Sequence, residues 1–249
     1  FFISSCGFGF ASIIRLRVSL NCLSSLELVM PQPLSRVVPS ATFEIGNVGL
    51  ATLRRRPKLA IAAMECIASW SHVERFLLGT YVQLAGGEEA DAAAVYLAME
   101  TSTAKSEAIR VLSERKLSPD HRALMQAIIR VSKACQKERD KLAHWSWGTS
   151  PELPEALLLA DPRILNANPD NIYVYRANDF ESMRHRFDRI ASWGMLLKFI
   201  LMDHVANHEG RLYAKLCAEP EIASILSRQA APKTLPPQEW PEWLQPNQD

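Results

Sequence analysis

Three side chains suited to phosphate chemistry lie within six residues of one predicted helix end. The segment KERDKLAHWSW, residues 137–147, contains Arg139, Asp140 and His144. A guanidinium binds a phosphate through two parallel hydrogen bonds and stabilises charge that develops on its oxygens. An imidazole gives or accepts a proton near neutral pH, and a nearby carboxylate orients it. These residues are therefore predicted as a catalytic set for phosphodiester cleavage, in which Asp140 orients His144.

The helical spacing decides which of the three side chains can meet. Asp140 and His144 are four residues apart, so they share one face of a helix. Steps of three and four residues from Ile128 pass through Cys135 to Arg139, which places Arg139 on or beside the inward face. Arg139 and His144 differ by roughly 140° in direction and about 7.5 Å in rise on a straight helix. Convergence of these two side chains requires the reach of the long arginine, a frayed last turn or a second copy of the helix.

Cationic and aromatic residues flank this set. Lys137 and Lys141 add attraction for phosphate, and Trp145 and Trp147 offer rings on which bases can stack. These four residues are predicted to bind the substrate. Cleavage of this kind suits RNA, whose 2′-hydroxyl supplies a nucleophile that DNA lacks. For the two tryptophans the alternative stays open that they simply pack the start of the connection after the helix.

Apolar residues at steps of three and four predict four long helices, at 58–85, 88–116, 119–143 and 178–207. Ser118 and Pro119 suit the start of the third helix, and Asn178 with Glu181 resembles a capping box at the start of the fourth. Between these two helices, prolines and the alternating segment NIYVYRA predict a small β-hairpin. The expected fold is mainly α, an antiparallel four- to five-helix bundle with this hairpin inserted.

The chain divides into three predicted regions. Residues 1–57 are expected to be a disordered or extended N-terminal segment, in which 1–29 are not native coding sequence and Met30 is the start. Residues 58–230 form the helical domain. Residues 231–249 form a tail that contains proline and tryptophan.

The composition restricts the class of protein. Charged residues make up 22% of the chain and leave a net charge of +1, which argues against a wholly basic nucleic-acid coat protein. Five cysteines without a Cys-x-x-Cys pair argue against a disulfide framework or a zinc site and favour the reducing cytoplasm. His204 and His208 have a spacing that can chelate a metal, but Val205 occupies the Glu position of His-Glu-x-x-His. No metal or cofactor is expected.

The pattern Arg139-Asp140-x-x-x-His144 resembles the Arg-x4–6-His signature of the HEPN superfamily, the nucleotide-binding helical domains of prokaryotes and higher eukaryotes. The polar residue directly after the arginine and the position near the end of a late helix also fit that family. The resemblance implies a homodimer with metal-independent endoribonuclease activity on RNA, with Arg139 and His144 catalytic. A toxin neutralised by an antitoxin-like partner is a variant of this function. Other members have lost catalysis, so a non-enzymatic interaction or scaffold protein, in which the same residues are structural, remains the alternative.

Overall fold

The computed structural model describes residues 31–46, 49–164, 166, 168–202 and 205–230. The helices of these ranges are α1 Leu34–Val37, α2 Gly49–Arg55, α3 Pro57–Ala85, α4 Glu89–Ala98, α5 Ser102–Lys116, α6 Pro119–His144, α7 Ala177–Leu201, α8 Arg211–Cys217 and α9 Pro220–Ala230, with a 3-10 helix at Val205–Gly210. The strands are β1 Gln32–Pro33, β2 Glu44–Ile45, β3 Ser146–Thr149, β4 Leu157–Ala160 and β5 Ile172–Tyr175. The protein is therefore mainly helical with a small sheet, as the sequence predicts.

Helix α3 is the longest element of the described chain, and it packs most extensively against α7. It begins with Pro57 at a helix-compatible position and ends where Gly86 and Gly87 take φ values of 72° and 80°. Positive φ costs little without a Cβ, so the two glycines end the helix where the sequence predicts.

The predicted second helix, 88–116, is two helices. Helix α4 ends at Ala98 and α5 begins at Ser102, because the Thr101 hydroxyl accepts a hydrogen bond from the Ala104 N–H at 3.1 Å and caps α5. Apolar residues recur at helical spacing on both sides of the polar run 100–103, which is why the sequence predicts one helix where the structure has two.

Helix α6 begins as predicted. The Ser118 hydroxyl accepts a hydrogen bond from the His121 N–H at 3.3 Å, and Pro119 occupies the first turn. The apolar residues at steps of three and four on this helix are buried throughout: Leu124, Ile128, Val131, Cys135 and Leu142. It packs against the buried side of α7 and anchors the last turns of α6 in the main core.

Helix α7 begins slightly earlier than the predicted capping box. The Asp179 carboxylate accepts a hydrogen bond from the Arg176 N–H at 2.7 Å, which makes Arg176 the capping position. Asn178 and Glu181 therefore do not form the box predicted for them. Apolar residues at helical spacing are buried along α7: Met183, Phe187, Ile190, Trp193, Leu197 and Ile200. The helix ends at Leu201, six residues before the predicted end at 207, and a 3-10 helix follows from Val205.

The connection between α6 and α7 forms part of a sheet larger than the predicted hairpin. Strands β3, β4 and β5 are antiparallel neighbours, and β1 and β2 complete the order β1-β5-β4-β3-β2. Strand β4 is buried on both faces, since Leu157 and Leu159 join the main core whereas Leu158 and Ala160 join a second, smaller core.

The N-terminal segment differs from the extended arm that its prolines indicate. From residue 31 onward it supplies β1, β2, α1 and α2, and Leu34 is fully buried in the second core. Long-range pairing to β5 and β3 orders this segment, and local sequence patterns do not report such pairing. The predictions for 1–30 and 231–249 lie outside the described residues.

No helix in the described part of the chain combines the length and apolar composition needed to cross a membrane.

Candidate phosphate-binding site at the end of helix α6

The last two turns of α6 present a polar stripe to one open cleft, which we call the α6 cleft. Its members lie three or four residues apart, so helical geometry aligns them. The cleft has a volume of about 480 Å³ and is lined by Lys137, Asp140, Lys141, His144, Trp145, Asp161, Pro162 and Arg163. The structure thus brings together five of the seven residues predicted for the site.

The opposite wall comes from the turn after β4. Ser146 at the start of β3 pairs with Ala160 at the end of β4, so residues 145 and 161 lie next to each other where this ladder ends. The Arg163 Nε and Nη2 atoms donate to the Asp161 carboxylate at 2.5–3.1 Å. These hydrogen bonds hold the pKa of Asp161 at about 2 and raise the pKa of Arg163.

Two polar side chains of the cleft, those of His144 and Lys137, make no ion pair within the described structure. His144 is exposed and, among the residues that the structure describes, it has no hydrogen-bond or ion-pair partner. Lys137 is also exposed, and its ammonium likewise has no ion-pair partner in the described chain. An unpaired ammonium and a free imidazole seven residues apart on one helix face are available to a bound anion.

Arg139 is placed differently from the other predicted residues. Its Nη1 donates to Oδ1 of Asp140 at 3.2 Å, and its side chain is 26% exposed. Its Nε is buried without a hydrogen-bond partner in the described structure. Arg139 does not line the α6 cleft, so within one chain the predicted convergence of Arg139 and His144 on one atom is not formed.

Asp140 also differs from its predicted role. Its carboxylate accepts from Arg139, and no hydrogen bond from His144 to Asp140 is present in the described structure. Asp140 nevertheless faces the cleft with His144. It therefore connects the inward-lying arginine to the cleft rather than orienting the imidazole.

Lys141 is held by three groups of its own chain. Its Nζ lies 2.8 Å from the Glu138 carboxylate. The same atom lies 5.3 Å from the centre of the Trp145 ring and 5.0 Å from that of Tyr173. Ion pairing and cation–π attraction both stabilise the ammonium there, so Lys141 joins the end of α6 to β5 and is less available to a ligand than Lys137.

The two tryptophans have separate positions. Trp145 lines the cleft, and its half-buried ring contacts that of Tyr173, with centres 5.8 Å apart. Trp147 lies on β3 opposite Leu159 and packs against the main core. The packing alternative therefore describes Trp147, whereas Trp145 both packs and faces the cleft.

Sequence reasoning missed the 161–163 wall. The signal was a short apolar run, ALLLA, followed directly by Asp161-Pro162-Arg163, which marks the polar end of a strand. Placing that end beside Trp145 requires the register of β3 and β4, which no local pattern supplies.

The described residues contain no group of three or more His, Cys, Asp or Glu side chains that could hold a metal ion. His204, one of the two histidines with metal-chelating spacing, lies outside the described residues.

Comparison of this chain with family models, with curated proteins and with solved structures finds no match.

Proposed function

We propose that the α6 cleft binds a phosphodiester of RNA and that His144 cleaves it without a metal, in a helical domain of the HEPN type. One observation carries the proposal: an unpaired, exposed imidazole and an unpaired ammonium line the same open cleft. A third group, the exposed Arg163 guanidinium, faces them from the other wall.

The chemistry follows from the chemical types of these groups. His144 accepts the proton of the 2′-hydroxyl, and the resulting oxygen attacks the adjacent phosphorus. The bond from phosphorus to the 5′-oxygen breaks, and that oxygen takes up a proton from water or from a second imidazole. The products are a 2′,3′-cyclic phosphate and a 5′-hydroxyl. Cations at the cleft stabilise the charge that develops on the phosphate oxygens.

A homodimer is part of the proposal. A single chain offers one imidazole to the α6 cleft, whereas the reaction needs both a base and an acid. A second copy of the α6 end, packed against the first, would supply the acid from the partner's His144.

The test is cleavage of labelled single-stranded RNA in the presence of EDTA. The wild-type protein is expected to produce cyclic-phosphate ends and to leave DNA and 2′-O-methyl RNA intact. His144→Ala is expected to lower the rate by about 10²–10⁴-fold, the usual contribution of a general acid or base. The matched control is His185→Ala, which removes an exposed histidine on α7 whose ion-pair partner in the described part of the chain is Glu181.

Equal loss of activity in both histidine variants, or no cleavage by the wild-type protein under any salt condition, would contradict the proposal. Circular dichroism of each variant separates loss of chemistry from loss of folding.

A non-enzymatic scaffold is the second candidate, and the contacts of Arg139 and Lys141 favour it. Arg139 is paired with Asp140, and Lys141 is held between Glu138 and two aromatic rings, so both stabilise the helix end itself. Under this function His144→Ala would leave every measured property unchanged, whereas Lys141→Ala would lower the melting temperature.

The biological form of the proposed activity is a toxin controlled by a protein partner. Expression of the wild-type chain without that partner would then arrest growth, and His144→Ala would relieve the arrest. Normal growth with a protein that is active in vitro would count against this role while leaving the enzymatic proposal intact.

A further inference from the structure

We infer that Arg163, rather than Arg139, is the guanidinium that binds the RNA phosphate in the α6 cleft. The inference rests on the proposed function of that cleft and names the side chain that recognises its anionic substrate. Neither the helical motif nor the spacing of residues 137–147 points to Arg163, because it lies on a different element.

The sheet register places Arg163 across from the imidazole. Pairing of Ser146 with Ala160 brings the turn after β4 next to the end of α6, and Arg163 and His144 consequently line one cleft. A phosphate in this cleft therefore has a cation on the wall opposite the helix. Strand pairing fixes the start of this turn, at Ala160, next to the end of α6.

Part of the Arg163 guanidinium is open to a ligand, because its hydrogen bonds to Asp161 use only the Nε and Nη2 atoms. Its Nε and Nη2 atoms donate to Asp161, which occupies one edge of the planar group. The remaining Nη1 hydrogens and the second Nη2 hydrogen form another fork, the geometry that binds phosphate in a bidentate manner. The side chain is 85% exposed, so a ligand reaches this fork without displacing protein atoms.

Asp161 acts as the positioning residue for this arginine. Its two oxygens both accept from Arg163, which limits the rotation of a long and otherwise mobile side chain. Pre-organisation of this kind lowers the entropy lost when the guanidinium binds an anion.

Arg139 meets none of these conditions. It is 26% exposed, its Nη1 contacts Asp140, and it does not line the cleft. A phosphate at His144 would have to recruit Arg139 by breaking that contact and moving a partly buried side chain. Arg139, the arginine of the sequence motif, therefore stabilises the helix end, whereas Arg163, from the turn after β4, lines the cleft.

The experiment measures the affinity of a short fluorescent 2′-O-methyl RNA, which binds but lacks the nucleophile, at several salt concentrations. Arg163→Ala is expected to weaken binding about tenfold, the loss expected for one charge-assisted hydrogen-bonded pair. It should also reduce the slope of log K against log salt by about 0.7, the value for one phosphate contact to a single strand. Arg139→Gln is expected to change the affinity by less than about twofold, because Arg139 does not line the cleft and its guanidinium is paired with Asp140.

The matched control is Arg211→Ala. Arg211 is 73% exposed and, like Arg163, pairs with an acidic residue two positions before it, Glu209. Its removal should leave both the affinity and the salt slope unchanged. Melting temperatures of all variants confirm that each is folded.

The outcomes distinguish failure of the proposed function from failure of the inference about Arg163. If the wild-type protein binds no RNA, the proposed function fails and this inference fails with it. If the wild-type protein binds RNA but Arg163→Ala binds equally well, only the inference is overturned. Weaker binding by Arg139→Gln with unchanged binding by Arg163→Ala would assign the phosphate to Arg139.

Discussion

The Arg139 guanidinium donates to the carboxylate of its chain neighbour Asp140, with Nη1 and Oδ1 3.2 Å apart. Adjacent helical residues point about 100° apart, so the long arginine side chain has to fold back to make this contact. The Asp140 carboxylate, which lines the α6 cleft, is therefore hydrogen-bonded to Arg139, and the described structure has no hydrogen bond between Asp140 and His144.

This relationship predicts a mild phenotype for Asp140→Asn. The amide still accepts a hydrogen bond from Arg139, and no bond to His144 is lost, so RNA cleavage should fall by much less than the hundredfold that loss of a general base costs. Single-turnover cleavage rates of the wild-type, Asp140→Asn and His144→Ala proteins test this. A defect in Asp140→Asn as large as that of His144→Ala would instead show that the carboxylate acts directly on the imidazole.

The crossing of α3 and α7 predicts opposite effects for two glycines. A Cβ on Gly194 would run into the ring of Phe76, whereas a Cβ on Gly79 would meet nothing within 4 Å. Gly194→Ala should therefore destabilise the protein by about 1–3 kcal/mol through overpacking. Gly79→Ala should stabilise it by roughly 0.5–1 kcal/mol, because glycine is unfavourable inside a helix.

Urea unfolding followed by circular dichroism measures both glycine variants on the same scale. Stabilisation by both substitutions would show that Phe76 moves aside freely, and the close approach of the two helices would then not depend on Gly194.

Glu152 predicts an acid-dependent loss of stability. Hydrogen bonds from the Ser150 hydroxyl first, then from the Glu152 backbone N–H and from Thr42, lower the pKa of Glu152 from 4.5 to about 2. The group binds its proton more weakly in the folded than in the unfolded chain, so its stabilising contribution is present above about pH 4.5. This contribution disappears as the pH falls through about 2.

The difference in free energy of unfolding between wild-type protein and Glu152→Gln should accordingly shrink between about pH 4.5 and 2. Thr42→Val removes the Thr42 hydroxyl, which lies 2.9 and 3.2 Å from the two carboxylate oxygens of Glu152. Loss of this donor should raise the pKa of Glu152 toward its ordinary value and so narrow the pH range over which the contribution is lost. If the free energies of unfolding of the wild-type protein and Glu152→Gln keep a constant difference over this pH range, the hydrogen bonds to the Glu152 carboxylate are not maintained in solution.

Glu221 predicts how α9 is held on the bundle. Its carboxylate accepts hydrogen bonds from Arg186, at 2.7 Å, and from Arg189, and the Arg186 and Glu221 side chains are only 22% and 21% exposed. Glu221→Ala removes the acceptor shared by these two α7 arginines and should destabilise the protein by about 1–3 kcal/mol.

The control for Glu221 is Glu107→Ala on α5, which breaks an exposed pair with Arg110 and should leave stability unchanged. Chemical unfolding monitored by tryptophan fluorescence compares the two variants. Equal effects would show that α9 is held by apolar packing alone.

The sequence by itself determined those features that depend on near neighbours along the chain. The starts of α3 and α6, the buried stripes of α6 and α7, and the alignment of Asp140 with His144 all follow from capping residues and the helical period. The break between α4 and α5 is also local, since the capping residue Thr101 lies in the polar run 100–103, but the apolar spacing on both sides of that run predicts one helix.

Only the tertiary structure decided which distant segments meet. Strands β1 and β2 belong to the sheet because they pair with β5 and β3, and Arg163 faces His144 because of the register between β3 and β4. Pairing of this kind depends on backbone hydrogen bonds and shared burial between residues far apart in the chain, and neither leaves a period in the local sequence. The wall of the α6 cleft formed by residues 137–145 could therefore be predicted from the sequence, whereas the wall formed by residues 161–163 could not.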